Sequence, residues 1–164
     1  MSSPSLSKAG MAARSASPNP PASTLTFRTT QPLEFVDITP QVQRAVQECG
    51  GGNGCVLVYS KHTTAAVAIN ENEPLLVQDM EQFLERCSPR QGNYRHNDFT
   101  VRTVNMTENE SADGHAHCQH FLLNTSETIP LVDGVLQLGT WQRIFLIELD
   151  GPRQRHVVVQ IMRG

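Results

Sequence analysis

The chain has 164 residues, 18% of them charged, with a formal net charge of −3 at neutral pH. That length suits one domain with a sizeable core, and the mildly acidic balance excludes a general attraction to nucleic acid or an anionic membrane. No apolar run approaches the ~20 residues of a membrane span, and one Trp with two Tyr gives few rings for stacking on single strands.

The first 24 residues, MSSPSLSKAGMAARSASPNPPAST, are rich in Ser, Ala and Pro. They carry too little apolar surface to offset their ordering entropy and are expected to form a disordered tail. Lys8 and Arg14, with no acid before Glu34, leave an organelle transit peptide as the alternative to a plain tail. A cytoplasmic location is therefore expected, with an organelle as the alternative.

From residue 25 onward the patterns are those of one α+β domain. LTFRTTQPLEFVDIT predicts two short strands interrupted near Gln31-Pro32. Thr39-Pro40 predicts a helix start, with a capping hydroxyl followed by Pro at the first helical position. Val42, Ala45, Val46 and Cys49 follow on one helical face, and Gly50-Gly51-Gly52 ends it. CVLVYS (55–60) reads as a buried strand, and Ala65, Val67 and Ile69 alternate in the next. Glu73-Pro74 opens a second helix with an apolar stripe of Leu76, Met80, Phe83, Leu84 and Cys87, closed by Ser88-Pro89.

Residues 89–98 are polar and form a loop that carries His96. Further strands are expected at 99–105, 117–123, 127–132, 134–138, 143–149 and 155–162. Asp133-Gly134 marks a hairpin turn. Eight or nine strands and two helices fit a mixed or antiparallel β-sandwich with helices on one side. Cys49, Cys55, Cys87 and Cys118 form no C-x-x-C pair, which excludes a zinc ribbon or a thioredoxin-like motif. Buried, reduced thiols in a reducing compartment are expected.

Polar side chains gather at several element ends. DGHAHCQH (113–120) holds three histidines. Read as a strand, it puts His115, His117 and Gln119 on one face and Cys118 and His120 on the other, so at most two imidazoles converge. Ser60, His62 and Thr63 follow a strand. Asn70 and Glu71 precede a helix N-terminus, where anions are favoured. Thr140 and Gln142 flank the single Trp in Gly139–Gln142. His62, His96 and His117, with Glu71, are ligand types that suit a divalent ion such as Zn²⁺. The same groups suit acid–base work on a phosphorylated substrate.

KHTTAAVAINENE, YRHND, GHAH and SETIPLVDGVLQLGTWQ, in that order, resemble the YjbQ family, the secondary thiamine-phosphate synthase enzymes. The resemblance runs from about residue 25 to the C-terminus. It implies an α+β sandwich, a homotrimer with a polar pocket near a subunit boundary, and weak thiamine-phosphate synthase activity. That reaction joins an aminopyrimidine pyrophosphate to a thiazole phosphate. A divalent cation, zinc or magnesium, would neutralise the leaving group.

Carried over motif by motif, the resemblance implies a metal held by His62, His96 and His117, with Glu71 as ligand or base. Ser60, Thr63, Asn70, Thr140 and Gln142 would orient the phosphorylated substrate. The sequence departs from the family pattern at Gln119, where a Lys is usual, and at Arg143, where a Gly is usual. A non-catalytic trimer that binds a phosphorylated metabolite or a metal ion is the alternative, and a metal-dependent hydrolase is a third reading.

Overall fold

The computed structural model describes residues 19–163. Its elements are β1 Ser23–Arg28, β2 Glu34–Asp37, α1 Thr39–Glu48, β3 Gly54–Ser60, β4 Ala65–Glu71 and α2 Pro74–Cys87. A single 3-10 turn, Arg95–Asn97, and α3 Gly114–Phe121 follow. The chain closes with β5 Ser126–Val132, β6 Val135–Leu136, β7 Gln142–Glu148 and β8 Gln154–Arg163. β1 begins two residues before the expected boundary, and Asn19 and Pro20 already accept bonds from Arg163 and Gln160. The rest of the expected tail lies outside the described residues.

Two sheets form, in the orders β1-β8-β3-β5-β6 and β2-β7-β4, and every pairing in them is antiparallel. They enclose one core of Ile38, Val56, Val58, Val67, Ile129, Ile144, Leu146 and Val159, into which α1 inserts Val42 and Val46. The opposite face of the small sheet packs Phe145, Ile147 and Ala66 against Leu84 of α2 and Ala116 of α3. β7 is thus covered on both faces, which is why it reads as the unbroken apolar run IFLI. β8 has one solvated face and alternates instead.

Local chemistry explains most boundaries. Thr39 does not cap α1; its hydroxyl accepts the Ile144 N–H at 2.8 Å and ties the helix to β7. At α2 the Glu73 carboxylate caps, accepting the N–H groups of Leu75 and Leu76 at 2.9 and 2.8 Å. Asp133 and Gly134 have φ of 50° and 75°, the paired positive values of a primed hairpin turn.

Two expected strands are absent. Residues 99–105 form a loop held by local bonds: the Asp98 carboxylate accepts from Thr100, its carbonyl accepts the Val101 and Arg102 N–H groups, and the Arg102 side chain donates to Glu110 and to the carbonyls of Val104 and Asn105. The expected strand 117–123 overlaps helix α3. Its buried residues, Gly114, His115, Ala116 and Gln119, follow a helical rather than an alternating spacing. Gln119 seals that face by donating to the carbonyls of Leu84 and Ser88. Among the described residues the α-helices therefore number three. All four cysteines are free, yet Cys87 and Cys118 are exposed rather than buried. Among the described residues no helix is long and apolar enough to cross a membrane.

Candidate metal centre

Helix α3 decides where the histidines point. Residues four apart on a helix are neighbours, so Asp113, at the N-cap, and His117 share a face, while His115 turns into the interior. The Asp113 Oδ1 lies 3.6 Å from His117 Nε2 and 3.4 Å from His96 Nε2. The two imidazoles meet edge to face, with ring centroids 4.7 Å apart. They line an open cavity of about 800 Å³ with Thr63, Arg95, Arg102 and Glu110.

Asp113 occupies a position where an aspartate usually caps the helix, but its carboxylate makes no capping bond. Asn97 supplies that bond from the His96 turn, its Oδ1 accepting the Gly114 N–H at 2.9 Å. The Asp113 Oδ1 is left buried with no hydrogen-bond partner, facing two imidazole nitrogens. Burial, opposed by Asp113 and reinforced by His96, holds the His117 pKa below its ordinary value. The neutral ring, with its lone pair free, is the form that ligates a metal.

This triad fits a divalent ion. One ligand atom each from His96, Asp113 and His117 can lie within 4.8 Å of the others. Ligands at about 2.0–2.1 Å on tetrahedral zinc are separated by roughly 3.3 Å from one another, close to the two separations seen here. A set of two histidines and one carboxylate leaves a fourth position open, as in catalytic zinc sites.

The expected set His62, His96 and His117 is brought together only in part. His62 lies outside the triad: its Nε2 accepts the His156 N–H at 2.7 Å and its ring stacks on that of His156. Burial first, then the nearby Arg155 and His156, pushes the His62 pKa down to about 4. With Nε2 engaged and the proton of the neutral ring on Nδ1, no lone pair is left for a metal in this arrangement. The candidate ligand absent from the expected set is Asp113. Its signal was the Asp113/His117 spacing, legible only once the segment is read as a helix.

The other expected residues divide between two ends of β4. Thr63, before the strand, lines the triad's cavity. Glu71, at its far end, is about 20 Å along the strand at ~3.3 Å per residue. There it lines a second cavity with Thr140, Trp141 and Arg143. Asn70 and Gln142 edge the adjoining hollow, but Gln142 Oε1 is taken by the Gly139 N–H and Asn70 Oδ1 by the Glu71 N–H. Ser60 is buried and donates to the Ala65 carbonyl at 2.6 Å, which closes the turn into β4.

Both departures from the family pattern acquire a location. Gln119 is fully buried against α2, so no charge at that position would face the cavity as α3 is docked. Arg143 pairs with Asp37 at 2.8 Å beside the second cavity.

The fold and the sequence together define a class. A family model, "UPF0047 protein YjbQ-like", matches residues 23–164, and the chain belongs to that family. A UPF0047 protein from Archaeoglobus fulgidus is 41% identical over 138 residues, covering 84% of this chain and 98% of that one. UPF0047 protein YugU from Bacillus subtilis is 33% identical over 140 residues, covering 85% and 97%. Among solved structures, a YbjQ-like protein of unknown function from Sulfolobus solfataricus superposes with a TM-score of 0.77 at 33% identity. It matches 87% of this chain and 96% of its own. A hypothetical protein from Aeropyrum pernix gives 0.77 at 37%, covering 88% and 99%.

Gly114 sets the approach of the two histidine-bearing segments. A Cβ there would lie 2.6 Å from Tyr94 Cβ and 2.9 Å from Asn97 Oδ1. Gly114→Ala is expected to push the 94–97 turn off α3, at a cost of about 1–3 kcal/mol for overpacking, and to weaken zinc binding. Denaturant unfolding and a zinc titration check this; unchanged zinc affinity would contradict it.

Proposed function

We propose that this chain is a divalent-metal-dependent transferase acting on a phosphorylated small molecule, with thiamine-phosphate synthase-like chemistry as its reaction. The observation that carries the reading is the buried, unpartnered Asp113 Oδ1 facing His96 and His117. A divalent ion held by these three residues would supply Lewis-acid stabilisation of a departing pyrophosphate. The chain's own contribution is to keep His117 neutral by burial and to offer Thr63 and two guanidiniums around the cavity. The expected homotrimer belongs to this reading and is supported by exposed Phe83, Phe121 and Leu122 near α2 and α3. The free cysteines support the expected reducing, cytoplasmic compartment.

One observation favours the alternative, a non-catalytic trimeric module that binds a metal ion or a phosphorylated metabolite. Neither residue expected to act as base, His62 or Glu71, belongs to the triad. Incubating the chain with Mg²⁺ or Zn²⁺, the aminopyrimidine pyrophosphate and the thiazole phosphate separates the two. The transferase reading expects thiamine phosphate above a heat-inactivated control. Product equal to that control overturns it and leaves the binding module.

A further inference from the structure

We propose that Arg95 anchors the anionic group of the ligand in the triad's cavity, and that this group is a phosphate-type dianion. The inference rests on the metal reading above and adds a residue and a charge to it.

Two guanidiniums line the cavity, and they are not equivalent. Arg102 is committed to the loop: it pairs with Glu110 at 2.8 Å and donates to the carbonyls of Asn105 and Val104. Glu110 in turn accepts from the Thr107 N–H and hydroxyl. Arg102 therefore shapes the wall. No hydrogen bond or ion pair within the described residues engages the Arg95 side chain. It stands on the same 3-10 turn as His96, one residue before it, so its reach is set relative to a ligand of the triad.

Charge decides what this residue would hold. Among the lining residues, the two guanidiniums of Arg95 and Arg102 are matched by the two carboxylates of Glu110 and Asp113. A divalent ion on the triad would add two positive charges to that matched set, the complement of a phosphate monoester dianion. A guanidinium presents parallel N–H groups that match two oxygens of one phosphate. No other uncommitted cation lines this cavity among the described residues, since Gln119 is neutral and buried and Arg143 is paired elsewhere.

The test titrates inorganic phosphate into the untagged, zinc-loaded full-length chain by calorimetry, after a separate zinc titration. Arg95→Ala is expected to weaken phosphate binding at least about tenfold, and Arg95→Lys to recover part of the loss, since it restores charge but not the fork. Zinc affinity should be the same in all three proteins. If zinc binds but Arg95→Ala holds phosphate as tightly as the parent, or the parent holds none, the Arg95 assignment is overturned and the metal reading stands. If the parent binds no zinc, the metal reading falls, and the assignment falls with it because the wall then lacks the charge to draw a dianion.

Discussion

Arg155→Ala is expected to destabilise the folded chain by about 3–5 kcal/mol, the usual cost of stranding one partner of a buried ion pair. Glu148 is fully buried and Arg155 nearly so. Arg155 Nε donates to Glu148 Oε2 at 2.6 Å, and a second guanidinium nitrogen bonds the other oxygen. Thr29 donates to the same carboxylate, as do the backbone N–H groups of Asp150 and Gly151. Burial alone would raise the Glu148 pKa; the bonds from Arg155 and the Asp150 N–H outweigh it and hold it below its ordinary value.

Removing the guanidinium leaves a buried carboxylate that must either lose its charge or admit water. It also frees the Thr64 hydroxyl, which Arg155 binds at 3.1 Å, and leaves the Thr64 carbonyl with only the Leu149 N–H, next to the cavity-lining Thr63. The double change Glu148→Leu with Arg155→Met should cost much less, because no charge is stranded. Equilibrium denaturation measures both. A loss below about 1 kcal/mol in Arg155→Ala would show that the pair is not the tie described.

The second large effect concerns His117→Ala, which is expected to reduce zinc affinity by at least about a hundredfold while the chain stays folded. Structural zinc sites derive order 10 kcal/mol from their ligands together, so one ligand among three carries a substantial share. His117 is only partly buried and lies on the exposed side of α3, so truncation removes little packing. His62→Ala should leave zinc affinity near that of the parent, because its Nε2 is bound to the His156 N–H. Far-UV circular dichroism of each variant separates lost ligation from lost fold.

The sheets were legible because their signals are local. β3 and β7 are apolar runs, β8 alternates, and the Asp133-Gly134 turn adopts the two positive φ angles its residues favour. His96 and His117 were legible as candidates through the motifs that carry them, and their nearness to each other rests on the fold. Helix α3 was not legible. Its eight residues hold three histidines, two small residues and a Gln, with no long apolar stripe, and its amphipathic character depends on Gln119 meeting the carbonyls of Leu84 in α2 and of Ser88 just past its end, over thirty positions earlier.

Misreading that helix hid Asp113. The alternating pattern placed His115 beside His117, whereas the helix buries His115 and turns His117 toward Asp113. Glu71 was attractive for its charge and its place at a strand end, but strand β4 carries it to the opposite end from Thr63, into a different cavity. Motif order along a chain does not report which end of a strand a residue occupies.

The claim on which the rest depends is that His96, Asp113 and His117 close on one divalent ion. Calorimetric titration of zinc into the metal-free, untagged chain, repeated on His117→Ala, tests it. One ion per chain in the parent, with tight binding gone in the variant, is the predicted outcome; no binding in the parent, or the same isotherm in both, would contradict it.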